Sequence, residues 1–288
     1  MRILLFGADG QVGRAMAATL PQGASIVACT QKECDLTDRE QVYRAIEKSG
    51  CEWLVNSAAY TAVDRAETEP ALAQAINGTA LGWIGEAARK TGIRVAHIST
   101  DFIFDGTAHT PYLPDSAPNP LNIYGHTKLA GEIALRETIP DALIVRTSWV
   151  HESQGANFPL TMLRLMRERE ELRVIADQVG TPTWASTLAG ALWSMIGKGA
   201  TGTHHLTDAG VASWYDLAVA VAEEASALDL IQRMPIVTPI ATSEYPTPAR
   251  RPAFSVLDKG SAWALLGGPT PHWRQSLRNM LKEVKERA

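Results

Sequence analysis

Short apolar runs and helix-patterned stretches alternate along the first half of the chain. RILLF (2–6), SIVAC (25–29), WLVN (53–56), RVAHIST (94–100) and ALIVRTS (142–148) are strand candidates, each brief and rich in apolar residues. Helix patterns occupy about 11–20, 38–48 and 70–91, the last ending at Gly92, and another begins near Tyr124. Strands separated by helices imply parallel pairing, right-handed crossovers and helices on both faces. The expected class is therefore α/β, a doubly wound parallel (Rossmann) sheet. After Ser148 the alternation loosens. A helix is expected over about 157–169 and another over 184–196, and ELRVI (171–175) is expected to return to the sheet as a sixth strand. Beyond Thr207 come shorter pieces and the Pro-rich YPTPARRP (245–252). The expected organisation is a dinucleotide-binding domain over 1–150, with about 171–206 returning to it. A smaller substrate-binding α/β domain from 151–170 and 207–288 would cover the carboxyl edge of the sheet, where ligands of open α/β sheets bind.

Composition narrows the function classes. The chain has 288 residues, 45% hydrophobic and 20% charged, an ordinary globular balance. Its 27 basic and 31 acidic residues give a net charge of −4, and no Lys/Arg block stands out. That argues against nucleic acid and anionic membranes as partners. MRILLF is too short for a signal segment, and no apolar stretch is long enough to cross a bilayer. Cys29, Cys34 and Cys51 are odd in number and form no CxxC, which suits thiols in a reducing cytoplasm.

The candidate chemistry sits at strand ends. GADGQVG follows the first strand and opens a helix, where free N–H groups and the helix dipole face an anion. Gly7 would permit the turn, Gly10 the approach of a pyrophosphate and Gly13 close helix–strand packing, with Gln11 and Val12 between them. The second strand ends ACTQK with no carboxylate, so NADPH is expected over NADH, with NADH still usable; Glu33 is the acid that would reverse this if the strand ran further. Asp35 and Leu36 could reach the adenine, or Asp35 could cap the next helix, a role Asp38 suits better. Ser57, Ala58, Ala59 and Tyr60 follow the third strand; their small side chains leave room for a ribose or nicotinamide, or serve tight packing. Ser99, Thr100 and Asp101 end the fourth strand, in a turn or opposite Tyr124 across a cleft. In NIYGHTKLAGE, Tyr124 and Lys128 share one helical face. Such a pair either covers surface or does chemistry: a nearby ammonium lowers a phenol from about 10, and the phenol can then exchange a proton with a carbonyl oxygen.

Together, Gly7/Gly10/Gly13, Thr100 and the Tyr124–Lys128 pair resemble the extended short-chain dehydrogenase/reductases. Within them, STDFIFDGT, PLNIYGHTKLAGE, RTSWV, NFPLTMLRL and YPTPARRPAFSVLD resemble, in order and to about Asp258, the dTDP-4-dehydrorhamnose reductases. The resemblance implies an NADPH-dependent oxidoreductase that reduces the C4 ketone of dTDP-4-dehydro-6-deoxy-L-mannose to dTDP-L-rhamnose. It implies that Tyr124 protonates the C4 oxygen, that Lys128 lowers the Tyr124 pKa and holds the nicotinamide ribose, and that Thr100 donates to the same oxygen. Substrate contacts would come from Thr100, Asp101, Trp149, Asn157 and Arg251. For Trp149 core packing is an equal alternative, and for the Arg250–Arg251 pair a solvated face. Three departures stand out: Phe102 replaces the family Tyr, His151 follows Trp149–Val150, and the first helix reads Arg14-Ala15-Met16 where an acidic metal ligand would be needed. No metal is therefore expected. The expected partner is a small-molecule nucleotide sugar and, at most, a second copy of the chain as a homodimer. Two other readings stay open: a nucleotide-sugar epimerase or dehydratase on the same scaffold, and a non-catalytic cofactor-binding regulatory subunit.

Overall fold

The structure is a computed structural model and describes residues 1–287. The five apolar runs form β1 (Arg2–Phe6), β2 (Ser25–Cys29), β3 (Trp53–Asn56), β4 (Arg94–Thr100) and β5 (Leu143–Thr147). Between them lie α1 (Gln11–Ala18), α2 (Arg39–Ser49), α3 (Val63–Ala66), α4 (Pro70–Gln74), α5 (Ala80–Thr91) and α6 (Ile123–Thr138). The single helix expected over 70–91 is α4 and α5 joined through a π turn at Ala75–Thr79. The C-terminal part contributes β6 (Val150–His151), α7 (Phe158–Glu168), β7 (Glu171–Ile175), β8 (Val179–Gly180), β9 (Thr183–Trp184), α8 (Ala185–Gly197) and β10 (Gly202–His205). It continues with β11 (Ala212–Ser213), α9 (Trp214–Ala227), β12 (Ile236–Ile240), α10 (Gly260–Leu266) and α11 (Trp273–Arg287). Asp38, Asn122 and Asn157 cap α2, α6 and α7 through their side-chain oxygens, each satisfying N–H groups that a helix start leaves free.

The main sheet has the order β10-β5-β4-β3-β1-β2, with every pair parallel. Successive strand residues point to opposite faces. Ile3, Leu5, Val55 and Val145 therefore pack with Met16 of α1 and Leu188 and Leu192 of α8. Leu4, Phe6, Leu54 and Ile144 pack on the other face with α2, α5 and α6 through Ile46, Ile84 and Leu135. A further core joins α7, β7, α9 and α11 through Met162, Leu172, Val221 and Leu277.

ELRVI forms a strand, but not in the main sheet. It pairs with β12, from Glu171↔Ile236 to Ile175↔Ile240. The reason lies in its side chains. Glu171 and Arg173 are exposed while Leu172 and Val174 are buried, a one-sided pattern, whereas inner strands of a parallel sheet are covered on both faces. The sixth strand is instead GTHH (202–205), paired with β5. It carries no apolar run, so periodicity passes over it.

Candidate active site

Strand order reverses between β1 and β3, and the glycine loop and the segment after β3 meet there. Gly7 takes φ +77° and donates its N–H to Cys29 O at 3.0 Å. A Cβ on Gly7 would lie 2.6 Å from Ala58 N, and one on Gly13 2.1 Å from Gly7 O. Both positions admit only glycine, for the turn and for close packing respectively. Helix α1 starts at Gln11 with no side-chain cap, so the N–H groups of Gln11, Val12 and Gly13 are left for an anion. Those features fit a dinucleotide pyrophosphate.

β2 ends at Cys29, as expected, with no carboxylate in the strand. Glu33 turns back and accepts from Thr30 N at 2.7 Å, which holds its carboxyl below the usual range. A carboxylate therefore does stand just beyond the strand, engaged by the backbone. Asp35 accepts from Thr37 N and Thr37 Oγ1, both at 2.8 Å, in a local turn, while Asp38 is the cap. Leu36 is buried against α2. After β3, Ala58, Ala59 and Tyr60 are half-buried. Asn77, in the π turn, accepts from Tyr60 N at 2.8 Å and donates to Tyr60 O at 3.0 Å and to Thr127 Oγ1 on α6 at 3.2 Å. Asn77 was not among the expected site residues; its signal would have been a polar residue inside an otherwise core-facing helix turn. Single π turns recur at functional sites, and this one ties the loop after β3 to α6.

Thr100 and Tyr124 come together across the cleft. The Thr100 hydroxyl donates to Asp101 Oδ1 at 3.1 Å, accepts from Phe102 N at 3.2 Å and opposes the upward shift of the Tyr124 phenol. Burial nevertheless pushes that phenol up to about 12, with the Asp101 charge adding to it. From its helical spacing alone, Lys128 is placed to lower it. Instead, desolvation dominates, and Lys128 Nζ turns to the Ile98 carbonyl at 2.7 Å and to His97 Nε2 at 3.2 Å. Lys128 is 2% exposed, and burial brings its ammonium down to about 8. Asp101 is buried and raised to about 6, chiefly by desolvation, with the hydroxyls of Ser255 and Thr100 opposing. Phe102 packs edge-on against Tyr124, ring centroids 5.7 Å apart.

The outlying substrate candidates are mostly engaged with the protein itself. Trp149 sits at φ +48°, a conformation rare for a bulky side chain, and stacks on Trp214 with centroids 3.5 Å apart. Asn157 donates to Gln11 Oε1 at 3.2 Å and to Glu152 O at 2.7 Å, so it ties the glycine loop to α7. Arg251 makes a two-pronged pair with Asp64, at 3.0 and 2.7 Å, and reaches Thr247 Oγ1. That pair links α3 to the Pro-rich segment. Arg14 pairs with Glu152 Oε2 at 3.3 Å.

A parallel Rossmann sheet with a glycine loop at its switch point and a Tyr–Lys–Thr group at its carboxyl edge is the architecture of short-chain dehydrogenase/reductases. The model of the RmlD substrate binding domain family matches residues 1–286, and the chain belongs to that family. It is similar to a dTDP-4-dehydrorhamnose reductase of Burkholderia thailandensis, 40% identical with 99% of each chain covered. Among solved structures it is similar to a dTDP-4-dehydrorhamnose reductase ortholog of Clostridium acetobutylicum (TM-score 0.93, 35% identity, 99% of this chain and 100% of that one). It is also similar to a dTDP-4-dehydrorhamnose reductase of Bacillus anthracis in complex with NADP (TM-score 0.92, 33% identity, 98% and 99%).

Proposed function

We propose that the protein is an NADPH-dependent oxidoreductase that reduces the C4 ketone of dTDP-4-dehydro-6-deoxy-L-mannose to dTDP-L-rhamnose, a step toward cell-surface polysaccharide. The observation that carries the reading is the Thr100–Tyr124 pair at the carboxyl edge of the sheet, beside a glycine loop that only glycine can close, in a chain related over its full length to such reductases. NADPH, held along the Gly7–Gly13 loop, Asp35–Leu36 and Ala58–Tyr60, supplies hydride to C4 when bound.

The chain's own residues handle the oxygen. Ketone reduction needs a proton donor, and a phenol raised to about 12 is protonated at every working pH. Tyr124 donates that proton to the C4 oxygen as negative charge develops there. Thr100 adds a second donor to the same oxygen. Lys128 holds the ribose hydroxyls while it remains an ammonium, below its pKa of about 8. Phe102 packs edge-to-face with the phenol ring. We also assign Trp149 to the sugar or base, Asp101 to a sugar hydroxyl, and Asn157 and Arg251 to the diphosphate side, and divide the chain into a nucleotide part and a C-terminal sugar-nucleotide part.

The chain's three cysteines are free, and among the described residues no helix is long and apolar enough to cross a membrane. Both fit action in the cytoplasm on a nucleotide sugar. A homodimer is proposed on the family resemblance alone; sedimentation at twice the chain mass supports it and a monomer removes it. For the activity, purified protein is mixed with NADPH and the 4-keto sugar nucleotide while reduced-nicotinamide absorbance is followed. Stoichiometric loss of absorbance is expected with native protein. Equal loss with Tyr124→Phe would remove the assignment of the proton donor.

A further inference from the structure

Behind Lys128 runs a buried chain of polar groups that the proposed chemistry does not use. Asn56 closes β3 and His97 faces it from β4; both are fully buried. Asn56 Oδ1 accepts from Ala58 N at 3.2 Å, and Asn56 Nδ2 lies 3.2 Å from His97 Nδ1. His97 Nε2 in turn lies 3.2 Å from Lys128 Nζ.

The hydrogen-bond roles follow from one fixed donor. The Ala58 N–H can only donate, so the Asn56 amide oxygen must face it and the amide nitrogen must face His97. An amide N–H₂ can only donate, so His97 Nδ1 accepts. The Asn56 main-chain carbonyl favours a proton on the same ring, but the polar atom 3.2 Å from Nδ1 is the side-chain amide nitrogen. A neutral imidazole has one N–H, which then sits on Nε2 and points at Lys128. Burial and the neighbouring ammonium both keep this ring from taking a second proton.

Resting on the reductase reading of Lys128, we propose that His97 is a positioning residue which presents an N–H, not a lone pair, to Lys128, and so favours its neutral amine over its ammonium. An ammonium has no lone pair to receive that N–H; an amine does, and can still donate to Ile98 O at 2.7 Å. The titratable and charged groups around Lys128 are Tyr124 and Glu132 on its own helix α6, His97 on β4, and the two arginines that neutralise Glu132, Arg146 on β5 at 2.7 Å and Arg136 on α6 at 2.6 Å. Glu132 supports the ammonium and burial opposes it. His97 adds to the opposition, because the neutral amine has an N–H to rest against.

The tautomer is read directly by NMR of protein labelled with ¹⁵N in the histidine rings, with His97 assigned by the resonance lost in His97→Gln. The expected spectrum at neutral pH shows protonated Nε2 and unprotonated Nδ1 at His97. A protonated Nδ1, or an imidazolium, overturns the proposal. This measurement needs no turnover, so its failure leaves the reductase reading standing. The functional arm is the basic limb of the kcat–pH profile. His97→Gln can turn its carbonyl toward the ammonium, and Asn56→Asp would draw the ring proton to Nδ1 and free the Nε2 lone pair. Each should move the limb up by about one pH unit, and either variant suffices if the other fails to fold. A limb that stays or moves down, with kcat lowered, would mean a merely structural His97 and overturn the proposal.

Discussion

Replacing Lys128 by Met should change stability in a way that depends on pH. Lys128 is 2% exposed, and its ammonium titrates at about 8 in the fold against 10.5 for a free side chain. The folded pKa is depressed, so between pH 8 and 10.5 the unfolded chain binds more protons than the folded one. The stability that Lys128 contributes therefore rises with pH through that window and is lost as pH falls through 8. At 1.36 kcal/mol per unit, moving from pH 7 to pH 10 relieves roughly 2 to 3 kcal/mol. Met has similar length and no proton to lose. Urea unfolding of both proteins at pH 7, 8, 9 and 10 isolates the effect in their difference, because the other titrating groups are common to both. The native protein should gain on the variant by that amount as pH rises, while the variant's turnover is collapsed throughout. A difference that is flat with pH, or that moves in favour of Met, would refute the claim that burial governs Lys128.

Three other outcomes are expected. Tyr124→Phe should keep the fold and cofactor binding and lose about two to four decades in turnover, the usual worth of a positioned acid; stopped-flow reduction of the 4-keto sugar reads it. Phe102→Tyr should change kcat little, because Thr100 and Tyr124 already supply both donors; a gain above tenfold in the same assay would show that the missing hydroxyl matters. Preference for NADPH over NADH in kcat/KM should be modest, on the order of tenfold, since Glu33 stands beside the β2 end and is held there by Thr30 N. Glu33→Gln should widen the preference, and a ratio unchanged in that variant would place the 2′ group elsewhere.

Much of the nucleotide-binding half is legible in the sequence because it obeys local rules. β1, β3, β4 and β5 are largely buried from both sides, so apolar runs mark them, and the glycines are imposed by backbone contacts that no side chain survives. The Tyr124–Lys128 spacing declares a shared helical face. What escapes is set by partners distant in sequence. GTHH becomes β10 because β5 offers an edge, not because of its own composition. Nothing near Arg251 in sequence announces Asp64, far earlier in the chain, whose carboxylate orients its guanidinium. The direction of the Tyr124 shift also depends on burial, which outweighs the helical neighbour that the sequence displays. His97 is hidden by its setting: between the apolar Val95, Ala96 and Ile98 it counts as part of the strand until the lysine behind it is seen.

The central claim is hydride delivery to C4 with protonation of the resulting oxygen. Native protein is incubated with NADPH carrying deuterium at the transferred position and with the 4-keto sugar nucleotide, and the product is examined by NMR. The account predicts dTDP-L-rhamnose with deuterium at C4 and one NADPH oxidised per product formed. Deuterium elsewhere, a 4-epimeric product, or conversion of the sugar with no net oxidation of NADPH would contradict it.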